Sequence, residues 1–232
     1  MRALAGVDGC ADGWVCVLEV GTHLTGFVVA SFVQLLDQLP EVAIVAIDIP
    51  IGIPDAGARV CDVEARCFLR APRASSVFPA PVRATLFGGT YADACEANFL
   101  ADGRRISKQA FAILPKIKEV DEVLSRRPEL QERIREIHPE VCFAKWNGGR
   151  AMRYRKSSPA GLLERELLID AVWSGERERL RGELRRFRCR ADDLNDAFAA
   201  LWTARRIRDG VAAALPSKPA VDRFGLRMQM LA

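Results

Sequence analysis

Histidine is almost missing from this chain: His23 and His138 are the only two in 232 residues. None of the seven cysteines forms a Cys-x-x-Cys pair, so a structural zinc site is not expected. An odd number of scattered cysteines fits reduced, mostly buried thiols rather than a disulfide framework. Lysine is scarce as well: six of the 34 basic residues are Lys, which leaves 34 − 6 = 28 Arg. Arginine suits bidentate phosphate contact, but a net charge of +4 gives no bulk attraction to nucleic acid. No apolar run exceeds strand length, so no membrane-spanning helix is expected. With no internal repeat or low-complexity segment and 50% hydrophobic residues, the composition is that of a globular protein. Met1-Arg2-Ala3-Leu4 leads straight into an apolar run, with no room for a signal peptide, and the expected location is the cytoplasm. The length suits one large domain, or a core domain carrying an insertion.

Two segments end alike. Ala3-Leu4-Ala5-Gly6-Val7-Asp8-Gly9 and Ala43-Ile44-Val45-Ala46-Ile47-Asp48-Ile49-Pro50 are apolar runs that stop at an aspartate and a backbone-breaking residue. Such runs read as strands buried on both faces. Phe32 to Leu39, between them, has a helical pattern, so the two strands should run parallel with both carboxylates at their carboxyl ends. Two converging acids suggest a divalent metal site.

Trp14 to Val20 and Leu24 to Ala30 read as two further strands. The expected fold is therefore α/β, a mixed sheet of three antiparallel strands followed by parallel ones. Residues 49 to 90 are broken by five prolines and carry Arg59, Arg66, Arg70, Arg73 and Arg83 among Phe68, Phe78 and Phe87. So long an irregular stretch is expected to be functional or mobile. Helical patterns follow at about 59–69, 91–100 and from an N-capping Ser107 to about 124. A strand at 131–137 precedes a helix at 140–146, stopped by Asn147-Gly148-Gly149. Further helices are expected from Ser158-Pro159 to about Val172, across the charge-dense stretch 176–190, and over 191–209, with a tail strand at 224–230.

In the last helix Asp193 and Asp196 are three apart and share a face. Ala197 and Ala200 would let that helix lie close to a sheet. Four acids at one site need a cation to offset their repulsion. Oxygen-only ligation points to Mg²⁺ or Mn²⁺, and two such ions can align water and a leaving oxygen for phosphodiester hydrolysis. Each acid has a plainer alternative. Asp192 reads as a helix cap, Asp193 as either cap or ligand, and Asp8 could belong to an Asp-Gly turn. Asp196 lies deeper in an apolar stretch, where an aspartate is unfavourable.

Gly6-Val7-Asp8-Gly9-Cys10…Gly13-Trp14, Ala46 to Pro54, Ser75 to Pro81, Ser107-Lys108-Gln109 with Lys116 to Asp121, His138-Pro139-Glu140, and Asp192-Asp193 to Trp202 together resemble domain-of-unknown-function family 429. That family is described as predicted nucleases of the ribonuclease H-like superfamily. The resemblance implies a ribonuclease H-like five-stranded sheet in a single domain, 1–232, with an insertion at about 49–130. It implies Asp8, Asp48, Asp193 and Asp196 as ligands of two Mg²⁺ ions, similar to Holliday-junction resolvases. Resolvases generally carry Glu at the fourth-strand position where this chain has Asp48. They often dimerise, so a homodimer is possible on the same ground.

Glu140 is a further candidate ligand or water-orienting base, or simply an acid at a helix start. His138 could move a proton. Arg66, Arg73, Lys108 and Lys116 are candidate phosphate contacts, and the arginine-and-phenylalanine loop suits a groove tracking a nucleic-acid backbone, although Phe78 and Phe87 could instead anchor the loop in the core. The sequence thus favours a Mg²⁺- or Mn²⁺-dependent nuclease. A non-catalytic nucleic-acid-binding or regulatory module is one alternative. An ATP-dependent phosphotransferase of the actin and sugar-kinase type would need two such cores.

Overall fold

A computed structural model describes residues 3–39 and 41–232. The chain forms two compact units: Met1–Ile49 with Arg133–Ala213 and Leu231–Ala232, and Pro50–Glu132 with Ala214–Met230. Eight α-helices and a five-stranded mixed sheet are present among the described residues.

The first unit is built on the sheet. Strands β1 (Leu4–Cys10), β2 (Gly13–Val20) and β3 (His23–Val29) form an antiparallel meander, with Asp8 opposite Val15. Helix α1 (Phe32–Gln38) is capped by Ser31, whose Oγ accepts from the Gln34 N–H at 3.2 Å. It crosses over to β4 (Ile44–Ile47), which runs parallel to β1 from Leu4↔Ile44 to Val7↔Ile47. The order is β3-β2-β1-β4 and then β5 (Ile134–Glu136), parallel to β4. β1 is central and buried on both faces, as its unbroken apolar run requires.

The second unit carries α2 (Val60–Leu69), α3 (Tyr91–Asp102) and α4 (Lys108–Arg126), the last capped by Ser107 at 3.0 Å from the Ala110 N–H. Its proline-rich stretch is tied down by buried charge. Asp62 binds Arg59 at 2.6 Å and accepts from the Ala80 N–H at 2.8 Å, and Arg83 is held by Asp121 at 2.7 Å and Asp222 at 2.6 Å. Phe78 and Phe87 are exposed, so they do not anchor this loop in a core.

In the first unit, α5 (Pro139–Trp146), α6 (Pro159–Asp170), α7 (Glu176–Glu183) and α8 (Ala191–Arg208) complete the fold. Helix α8 lies across β1, β2 and β4. The contact is closest at Gly6, where a Cβ would stand 2.1 Å from the Ala197 carbonyl oxygen and 2.2 Å from the Leu201 nitrogen. Only a residue without a side chain admits the helix backbone there. Farther along α5 and α8, Trp146 stacks on Phe143 (6.0 Å between ring centres) and on Trp202 (5.0 Å), with Trp173 edge-on at 5.8 Å.

Four expected boundaries differ. β1 runs two residues beyond Asp8, because the antiparallel partner β2 continues after the parallel partner β4 has ended. The strand expected over 131–137 shrinks to three residues, its start being taken by a 3₁₀ turn at Pro128–Glu132. The charge-dense helix ends at Glu183 rather than near 190. No strand spans 224–230, since Asp222 Oδ1 accepts the Phe224 and Leu226 N–H groups and Gly225 adopts a positive φ of 78°, which folds the segment into a turn. Among the described residues no helix is long and apolar enough to cross a membrane.

Candidate functional site

The register of two contacts sets the site. Gly6 and Asp8 are two apart on β1, so both face α8. From Gly6 to Asp8 the strand advances about 6.6 Å. From Ala197 back to Asp193 the helix retreats about 6 Å. With Ala197 seated on Gly6, the first turn of α8 therefore arrives over Asp8. Asp48 follows Ile47, the last residue paired with β1, and its N–H donates to the Val7 carbonyl at 3.0 Å. The Ile137 N–H donates to the Ile47 carbonyl, also at 3.0 Å, and two residues later α5 opens with Pro139-Glu140. Carboxylates from β1, the end of β4, and the starts of α5 and α8 are thereby gathered at one end of the first unit.

They sense one another. Burial, then Asp48 and Asp196, push the Asp8 carboxyl well above the usual range. Burial raises Asp48 to about 7, with Lys156 opposing and Glu140 adding to the rise. Asp196, with no exposed surface, is raised to about 6 by burial, against the pull of Lys156. Asp193 is also raised, chiefly by burial. Each carboxyl is destabilised as an anion, as expected where acids crowd in a dry site.

The cation facing them is Lys156, on the irregular segment between α5 and α6. Its Nζ lies 2.5 Å from Asp196 Oδ2 and 4.0 Å from Asp192 Oδ2. Asp196, first among several acids, raises the Lys156 pKa. Among the described residues no three of these carboxylates bring oxygens within 4.8 Å of one another. Asp196 Oδ1 and Glu140 Oε2 are buried with no hydrogen-bond partner. Glu140 Oε1 is held by the fully buried Arg165 at 2.5 Å. Orphaned carboxylate oxygens are costly, and oxygen donors of this kind fit a hard divalent cation.

The helix start assigns its aspartates differently from the sequence reading. Asp193 caps: its Oδ2 accepts the Arg190 N–H at 2.8 Å, the N3 half of a capping box. Asp192 instead pairs with the Arg190 guanidinium at 2.8 Å. Asp193 Oδ1 is held more loosely, 3.4 Å from that guanidinium.

Lys156, Arg165 and Arg190 went unnoticed in the sequence. Lys156 left a signal in the basic run Arg153-Tyr154-Arg155-Lys156, and Arg190 in the charge-dense stretch that it closes, whereas Arg165 left none. Arg185-Arg186-Phe187-Arg188-Cys189-Arg190 leads into α8, with all four arginines exposed. Arg66, Arg73, Lys108 and Lys116 belong to the second unit. Arg66 donates to the Val77 carbonyl at 2.6 Å, and Lys108 is exposed at the start of α4. His138 immediately precedes α5.

A pH dependence follows. Asp48 and Asp196 titrate near 7 and 6 when folded but near 4 when unfolded, so the folded state holds their protons more tightly. Their contribution to stability is greatest at low pH and is lost as pH rises through 6 and 7. The metal-free protein should melt at a lower temperature at pH 8 than at pH 5.5, and Asp48→Asn should flatten that slope. A melting temperature that climbs across this window in the wild type would refute it.

A family model described as "Protein of unknown function (DUF429)" matches residues 6–221, a span that includes all five acids and Lys156. No curated protein and no solved structure matches the chain.

Proposed function

The chain belongs to the family of proteins of unknown function DUF429, and from the chemistry of its acid cluster we propose that it is a divalent-metal-dependent nuclease. The observation that carries this reading is the convergence of Asp8, Asp48, Asp193 and Asp196 from two parallel strands and one helix, each raised by burial. The strand order β3-β2-β1-β4-β5, with β1 central, supports a ribonuclease H-like core. Asp8, Asp48, Asp196 and Asp193, the last through the Oδ1 that the Arg190 guanidinium holds at 3.4 Å, would hold the ions. Bound Mg²⁺ or Mn²⁺ supplies an activated water and charge stabilisation for the leaving oxygen.

The chain's own groups do the rest. Arg165 fixes Glu140 through Oε1, leaving Oε2 directed for a ligand or for a water proton. Arg190 holds Asp193 by a main-chain and a side-chain contact, which limits its freedom. Of the exposed arginines of 185–190, Arg188 pairs with Asp12 and Arg190 with Asp192 and Asp193, while Arg185 and Arg186 suit phosphate contact beside the reacting bond, and Arg186 already stacks on Phe187 at 4.9 Å. Nucleic acid is accordingly the partner we infer.

The test is a panel of single-stranded, duplex, hybrid and branched DNA and RNA incubated with Mn²⁺ or Mg²⁺. Cleavage of at least one substrate, abolished by EDTA, is expected. No cleavage with either ion would favour a binding module in which Lys156 permanently neutralises the acids, and cleavage indifferent to EDTA would remove the metal from the mechanism.

A further inference from the structure

Lys156 reaches the acid cluster from outside the core. Asp196 is completely buried, whereas 41% of the Lys156 side chain is exposed. No helix or strand carries it; the segment between α5 and α6 does. A lysine is a compact charge on a flexible four-carbon stem, able to swing into water at modest cost. Its ammonium is bound to Asp196 Oδ2, while Oδ1 of the same carboxylate is buried and without a partner. Asp8 and Asp48 also act on it electrostatically.

We propose that Lys156 is an internal counter-ion that competes with the divalent cation for Asp196, so that metal can enter only as the ammonium leaves. This rests on the metal-dependent reading above. One positive charge against Asp196 lowers the cost of burying the acids when no metal is bound. The same charge repels an incoming divalent cation at close range in a site of low dielectric. The ion pair must therefore break as the metal binds, and its strength is subtracted from metal affinity. The released ammonium would then be free for an anionic group of the substrate, so metal and substrate would help each other bind. Arg165 and Arg190, the other cations against these acids, are engaged with Glu140 and with Asp192 and Asp193.

The experiment measures Mn²⁺ binding without substrate, by the electron-spin-resonance signal of free Mn²⁺ or by calorimetry. Lys156→Gln should bind Mn²⁺ at least about tenfold more tightly than wild type. Lys156→Arg, which keeps the charge, should stay close to wild type, and Lys118→Gln, in the second unit, should change nothing. A second measurement needs no variant: acetylation of Lys156 in the wild type, followed by mass spectrometry, should accelerate when Mn²⁺ is added. Mn²⁺ binding by the wild type that is not tightened in Lys156→Gln, or a Lys156 acetylation rate that does not rise with Mn²⁺, overturns the competition and leaves the metal site standing. Failure of wild type and Lys156→Gln alike to bind Mn²⁺ overturns both readings.

Discussion

Asp196→Asn is expected to lose phosphodiester cleavage by about 10²–10³-fold, the usual scale for removing one charged group from a preorganised site, and yet to gain thermal stability. The two effects share one cause. Asp196 has no exposed surface, its carboxyl is raised to about 6 by burial, and one of its oxygens has no partner. An amide of the same shape removes a buried anion and its repulsion of Asp8 and Asp48, while half-exposed Lys156 returns to water. In a chain of this size a gain of about 1 kcal/mol raises the melting temperature by roughly 2–4 °C. The gain should be larger at pH 8 than at pH 5.5, because the wild-type carboxyl is mostly protonated at the lower pH and ionised at the higher. Cleavage assays and thermal melts on the same preparation check both arms. Full activity in the variant would sink the acid-cluster mechanism, and a large loss of stability would show Asp196 to be structural. A functional residue that weakens its own fold is the expected signature of a site tuned for chemistry.

Gly6→Val should abolish folding, at a cost of about 4 kcal/mol or more. The obstruction is backbone on backbone. A Cβ at Gly6 meets the Ala197 carbonyl oxygen at 2.1 Å and the Leu201 nitrogen at 2.2 Å, and no side-chain rotation can relieve either contact. To make room, α8 would have to back away by more than about 1 Å, breaking close packing along β1, β2 and β4. That movement would also draw Asp193 and Asp196 away from Asp8. Gly6→Ala is the gentler probe and should be severely destabilised as well. A soluble Gly6→Ala protein melting near the wild-type temperature would disprove the contact.

The central strands and their acids could be read from the sequence because burial on both faces leaves an uninterrupted apolar run, and Asp8 and Asp48 interrupt two such runs at matching places. Ala197 and Ala200 advertised a helix lying close to the sheet. The residue that decides how close, Gly6, looked like one more small member of a strand, because its partner lies about 190 residues away and tertiary contact alone gives it meaning. The same holds for Lys156: nothing local ties a lysine in an irregular segment to an aspartate 40 residues on. The capping role expected of Asp192 passed to Asp193, for which a cap was one of two readings, because of where the helix begins. With Arg190 as the N-cap, the third position falls on Asp193, whose carboxylate accepts the Arg190 N–H. The turn at 222–226 was missed because Asp222 serves three main-chain N–H groups, those of Ile53, Phe224 and Leu226, and Arg83 at once, a convergence that local pattern does not report.

All four tryptophans, Trp14, Trp146, Trp173 and Trp202, fall in the unit that carries the acids, and the other unit has none. Trp146 on α5 and Trp202 on α8 stack on each other, each six residues and about 9 Å along its helix from Glu140 and Asp196, with Trp173 edge-on to Trp146. Excited at the red edge of protein absorption, this molecule is optically half dark. Its emission follows only the sheet and the helices that bear the carboxylates, while circular dichroism follows both units together. The sequence has thus placed a native fluorescent reporter on the two helices that carry Glu140 and Asp196.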